Sequence, residues 1–133
     1  MHYKMRDQIR FKIGKEEKNI QEKWIEIPEG TEHIQMMIEM PEEFRYMAFL
    51  FLEDPKKEIR FQKLLGYGQQ NPGIGKSTKD TTIGGVPGEI YPGTWKIGIG
   101  IFTEYVAQKL GEQTGEIVLT VSDRKDVVSD PIG

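Results

Sequence analysis

Apolar residues recur at alternate positions along much of this chain. Ile9, Phe11 and Ile13 alternate with Arg10 and Lys12 and predict a first strand ending at Gly14. Trp24, Ile25 and Ile27 predict a second, stopped by the turn Pro28-Glu29-Gly30-Thr31. Ile34, Met36, Ile38 and Met40 predict a third, ended by Pro41. Tyr46 to Leu52 is apolar at both parities, which predicts a strand covered on both faces. Ile59, Phe61, Lys63 and Leu65 predict a fifth strand. Trp95, Ile97, Ile99 and Ile101 give the clearest alternation, and Ile117, Leu119 and Val121 give the last. About eight strands at roughly 8–12-residue spacing, with turn residues between them, point to an all-β fold: an antiparallel, jelly-roll-like β-sandwich.

The stretch from Val86 to Phe102 organises this pattern. Two turns, Val86-Pro87-Gly88 and Tyr91-Pro92-Gly93, lead into the strand that begins at Thr94 and Trp95. The turns steer the chain from one sheet to the other. Trp95 shares parity with Ile97 and Ile99, so it belongs to the core. Gly98 and Gly100 leave the opposite face of the strand without side chains, which is space for close packing or strong twist. Phe102 to Val106 reads as a prolongation of this strand and Ala107 to Gly115 as a loop or single turn. Gly66 to Lys79 reads as the longest loop, and Asp80 to Ile83 as a short strand. Residues 1–122 then form one domain, and 123–133 a polar tail or linker.

Charge and composition remove several functions. The 133 residues suit a single domain with its own core. The net charge of −3, with both signs interspersed, lacks the basic footprint of a nucleic-acid binder. The apolar runs are too short to span a membrane. There is no Cys, hence no disulfide, thiolate metal site or Cys nucleophile. That composition, with a charged Met1–Arg10 that lacks the apolar core of a signal peptide, agrees with a cytoplasmic protein; export of a longer parent would need a signal outside this chain.

Candidate chemistry is sparse. Gly75-Lys76-Ser77 has the end of a phosphate-binding loop, but Gln70 stands where the first Gly belongs and no helix pattern follows. His2 and His33 have no partner at metal-ligand spacing, and the carboxylates of Glu42, Glu43, Glu53, Asp54, Asp123 and Asp126 lack the alternation of a Ca²⁺ loop. Ser77 and Ser122 lie in no nucleophile elbow. The residues thus predict no catalytic site, no metal and no cofactor. Tyr67 and Tyr91, set among Gly and Pro, are the candidates for contact with a ligand or partner, and they carry the alternative of a carbohydrate-binding module.

Ile25 to Ile34, IEIPEGTEHI, resembles the opening of a β-sandwich domain found before the catalytic domain of CehA-like metallohydrolases, members of the polymerase-and-histidinol-phosphatase class. Phe49 to Pro55 is similar to the apolar strand running into Asp-Pro in that domain. Pro87 to Gly100, PGEIYPGTWKIGIG, resembles its Pro-Gly…Pro-Gly-Thr-Trp motif. The resemblance covers Ile20 to Val121, with a loosely matched Gly-rich middle and an insertion-like stretch at Ala107–Thr114. It implies a non-catalytic accessory module. The metal ligands of the class lie in the downstream hydrolase domain, whose His-rich signature has no counterpart here. The partners implied are such a hydrolase domain in cis or a second copy at a self-interface.

Overall fold

The structure is a computed structural model and describes residues 5–111, 114–125 and 130–133. Its strands are β1 (Arg6–Ile13), β2 (Ile20–Ile27), β3 (Ile34–Met40), β4 (Ala48–Glu53), β5 (Ile59–Leu64), β6 (Gly68–Gln70), β7 (Gly73–Ile74), β8 (Gly93–Ile101) and β9 (Gly115–Ser122), with one helix, α1 (Thr103–Leu110). The pairs nest: β1 with β9, β2 with β8, β3 with β6 and β7, and β4 with β5, all antiparallel. The chain is therefore one long hairpin rolled over on itself. Alternate pairs enter alternate layers, giving a five-stranded sheet ordered β1-β9-β3-β6, with β7 also on β3, and a four-stranded sheet ordered β2-β8-β4-β5. This is jelly-roll winding, and it agrees with the all-β sandwich read from the sequence.

The core lies between the layers. Phe11, Ile34, Met36, Ile38, Leu119 and Val121 from one sheet meet Leu50, Leu52, Trp95, Ile97 and Ile99 from the other, all buried. The alternation in β1, β3, β8 and β9 sets which side chains point inward, because a register shift of one residue would turn each set to solvent. Trp95 is fully buried, and its Nε1 donates to the Tyr91 carbonyl at 2.7 Å, so the tip of the indole is satisfied within the turn that precedes it. Gly88 and Gly93 hold φ of 150° and 124°, which explains glycine in both Pro-Gly turns.

Several elements differ from the sequence expectation. Residues 103–110 form a helix where a strand extension and loop were predicted. The helix is started by a distant group: Asn19 Oδ1 accepts from the Thr103 backbone N–H at 3.0 Å and from its hydroxyl at 2.9 Å. Val106 buries one face of the helix, and Gly111 at φ 72° ends it. The Gly-rich stretch contains β6 and β7, and Asp80–Ile83 enters a 3₁₀ turn (Thr78–Asp80) and a single bridge from Thr82 to Pro131. A bulge between Leu52 and Glu53 breaks the alternation of β5, so Arg60 and Phe61 are both buried and Ile59 is exposed.

The predicted tail runs partly outside the described residues at 126–129. Where described again it returns to the sandwich: Ile83 N–H donates to Asp130 O, Ile132 N–H to Thr81 O and Gly133 N–H to Thr78 O. His2 also lies outside the described residues. Among those described, no helix is long and apolar enough to cross a membrane.

Candidate functional site

The outer face of the four-stranded sheet is the most distinctive surface. Cα partners align Ile20, Gly100, Phe49 and Leu64 in one row across all four strands. The next row is Glu22, Gly98, Phe51 and Gln62, and the third begins Trp24, Lys96 and Glu53. In the first row Ile20 is 60% exposed, Phe49 40% and Leu64 48%, and nothing lies within 4 Å of the place where a side chain on Gly100 would start. The row is an apolar strip with an open floor.

The second row is closed at its glycine, and the third is charged except for Trp24. Phe51 turns its ring over Gly98, where a Cβ would lie 1.9 Å from Cζ. Lys96 Nζ bridges Glu22 at 2.8 Å and Glu53 at 3.6 Å. The hydrogen bond that Lys96 donates to Glu22, aided by both carboxylate charges against a smaller opposing effect of burial, holds the Lys96 ammonium above its ordinary pKa. Trp24, beside this cluster, is 61% exposed. The strip therefore has one apolar edge open to a partner and one charged, internally paired edge.

The sequence held a signal for this face: Tyr46–Leu52 is apolar at both parities. It predicted cover on both sides, whereas Ala48, Leu50 and Leu52 are buried and Phe49 looks outward. Gly98 is packing space, as expected; Gly100 is open.

The two tyrosines are not brought together. Tyr67 follows β5 beyond Leu64, and Tyr91 precedes β8 at the opposite end of the same sheet. The Arg45 guanidinium lies 4.7 Å from the ring centres of both Tyr46 and Tyr67. Lys56 lies 4.1 Å from the centre of Tyr91. Each ring thus already stacks on a cation of this chain.

Two buried polar clusters escaped the sequence reading. Arg60 is 3% exposed and donates from Nε to Val86 O at 3.1 Å and from one terminal nitrogen to Glu89 O at 2.7 Å, bracketing Pro87-Gly88. The same nitrogen lies 3.5 Å from the buried Asp54 carboxylate. The Pro-Gly corner is therefore pinned by an arginine from β5. The second cluster surrounds His33, whose Nε2 pairs with Gln35 Oε1 at 2.8 Å. Burial pushes its pKa down against the opposing pull of Gln35 and Asp80, with Lys125 adding to the lowering. Asp80 in turn is held below the ordinary carboxylate range, first by Lys125.

Gly75, Lys76 and Ser77 form no phosphate cradle. A Cβ on Gly75 would meet Asp80 and His33, Lys76 pairs with Glu32 and Glu89, and the Ser77 hydroxyl donates to Asp80. Among the described residues, no three His, Asp or Glu side chains gather to hold a metal ion. The sequence matches no family model and no curated protein.

Proposed function

We propose that this chain is a non-catalytic interaction module, and that the outer face of its four-stranded sheet seats a partner domain. The observation that carries the reading is the exposed row Ile20–Gly100–Phe49–Leu64. Contiguous apolar exposure across a sheet is costly in water unless something covers it, and an open glycine floor flanked by Ile20 and Phe49 suits an inserted side chain. The resemblance to the sandwich that precedes hydrolase domains of the polymerase-and-histidinol-phosphatase class names the partner: such a hydrolase domain, docked beside the sheet so that the module shapes access to its site. Cytoplasmic placement belongs to the same proposal.

The test is a titration of the isotope-labelled chain with the hydrolase domains of that class encoded in the same genome. Amide shifts are expected along β8, β4 and β5, centred on Gly100 and Phe49. Phe49→Ser with Leu64→Ser, and separately Gly100→Val, are expected to weaken binding at least ~10-fold while the chain stays folded. Absence of binding to every such domain, or shifts confined to the five-stranded sheet, would overturn the reading. The carbohydrate alternative on Tyr67 and Tyr91 has no comparable support, since the rings sit at opposite ends of the sheet against cations of the chain. A glycan panel serves as its control.

A further inference from the structure

The two sides of the sandwich are treated differently. On one side the chain covers its own sheet edges. Gln62 N–H donates to Gly84 O and Val86 N–H to Arg60 O along β5, while Thr82 N–H donates to Gly73 O along β7. The segment crossing from β7 to β8 thus covers the edges at β5 and β7. On the other side lie β1 and β2, each eight residues long, and no described strand pairs with the outer edge of either. Long bare edges are templates for another strand. Side chains from β2 reach across: Gln21 Nε2 donates to Lys12 O at 2.7 Å, and the Lys23 ammonium lies 5.7 Å from the centre of the Phe11 ring.

The charges on the two edges are opposite. Ile9, Phe11 and Ile13 point inward from β1, so Arg6, Gln8, Arg10 and Lys12 line its outer face. Ile25 and Ile27 point inward from β2, so Ile20, Glu22, Trp24 and Glu26 line its outer face. We propose that two copies of this chain associate edge to edge, β1 of each against β2 of the other.

The topology permits it. Residues 14–19 reverse the chain between β1 and β2, so the two strands run in opposite senses on the same side of the molecule. A two-fold axis parallel to the strands then sets β1 antiparallel to β2 of the second copy and continues the five-stranded sheet of one copy into the four-stranded sheet of the other. Outward faces stay outward. In the register that keeps outward side chains outward, offset by one residue from a flush alignment of the strand ends, Arg6 stands across from Glu26, Arg10 from Glu22 and Gln8 from Trp24 of the second copy, and the symmetry makes each pair twice. Pairing like with like fails: β1 against β1 sets Arg and Lys together, and β2 against β2 sets Glu against Glu. These side chains already have partners in the chain: Arg6 has a contact of its own, Arg10 pairs with Glu116 at 3.4 Å and donates to Gln8, Glu26 accepts from the Thr94 hydroxyl through one oxygen, and Glu22 holds Lys96 through one of its two oxygens. The Arg10 and Glu26 contacts are exposed, and each carboxylate keeps a second oxygen for the new pair. The association buries an edge and not a face: of the outer strip only Ile20 gains a neighbour, Lys12 of the second copy, while Gly100, Phe49 and Leu64 stay free for the docking proposed above.

The test is the mass of the whole chain in solution by light scattering and sedimentation at about 100 μM, a concentration at which a micromolar Kd gives mostly dimer. The wild-type chain is expected to be dimeric. Arg6→Glu with Arg10→Glu, and separately Glu22→Lys with Glu26→Lys, are each expected to weaken self-association at least ~100-fold. An equimolar mixture of the two variants is expected to recover a heterodimer, because both contacts regain opposite charge. As a check independent of charge, the chain has no Cys, so Gln8→Cys copies mixed with Trp24→Cys copies are expected to form a mixed disulfide in preference to either symmetric one. A monomeric wild-type chain, a dimer that survives both reversals, or a mixture that stays monomeric would each overturn the proposal, thermal unfolding confirming that every variant is folded.

Discussion

The ring of Phe51, on β4, lies over Gly98, its register partner on β8, so closely that a Cβ on Gly98 would sit within 2.4 Å of three ring carbons. The glycine exists for the ring. Gly98→Ala is expected to force Phe51 out of place and to cost about 1–3 kcal/mol, the usual range for overpacking a close contact. In a Phe51→Ala background the same change should cost almost nothing, since alanine is otherwise the better strand residue. Urea unfolding of the two single variants and the double variant measures this coupling. An equal cost in both backgrounds would show that the contact is not the reason for the glycine.

The layers of this fold are legible in the sequence wherever one face of a strand is apolar and the other charged. β1 is of that kind, and in β3, β8 and β9, whose opposite faces are mixed and include the buried Gln35, Gly98 and Ser122, the apolar set still marks the inward face. Legibility fails where the deciding partner is distant along the chain. The helix at Thr103 is capped by Asn19, which no local pattern around Ala107 reveals. The two Pro-Gly turns are visible as turns, but the arginine that pins Val86 and Glu89 comes from β5, where Arg60 reads as a solvent-facing residue of an alternating strand until the bulge at Glu53 turns it inward. The candidate docking strip was half visible. An apolar run at both parities marks two buried faces or one buried and one bare, and periodicity alone does not separate these cases.

Asp54 and Arg60 form a buried ion pair that also holds two turns. Asp54 Oδ1 accepts from the backbone N–H of Lys56 and Glu58 at 2.8 and 3.0 Å, while Arg60 binds the carbonyls flanking Pro87-Gly88. Asp54→Ala would leave a guanidinium buried without its counter-charge and is expected to cost about 3–5 kcal/mol. Arg60→Met is expected to cost a similar amount and to speed amide exchange in the 86–93 corner before the core. Equilibrium unfolding and exchange read these effects. A loss below about 1 kcal/mol for both variants would show the pair to be incidental.

His33 makes stability depend on pH. The Gln35 amide nitrogen donates to the carbonyls of Asn71 and Pro72, so its oxygen faces His33 and Nε2 carries the imidazole proton. Nδ1 is then a bare, buried lone pair without a hydrogen-bond partner, and adding a proton there charges a buried ring. Burial accordingly sets the folded pKa below the ordinary 6.5. The sign follows by linkage: below pH 6.5 the unfolded chain takes up this proton while the folded chain does not. Stability is therefore fully present above the unfolded pKa and declines as the pH falls toward the folded one, by at most about 1.4 kcal/mol per pH unit for one group. Asp80 and Lys125 are the charged groups that act on the ring; Asp80 moderates the decline, and Lys125 strengthens it. In His33→Gln the part of the slope that sets in as the pH falls below 6.5 is expected to vanish, read as the pH dependence of the urea midpoint. An unchanged slope in that variant would assign the dependence to other groups.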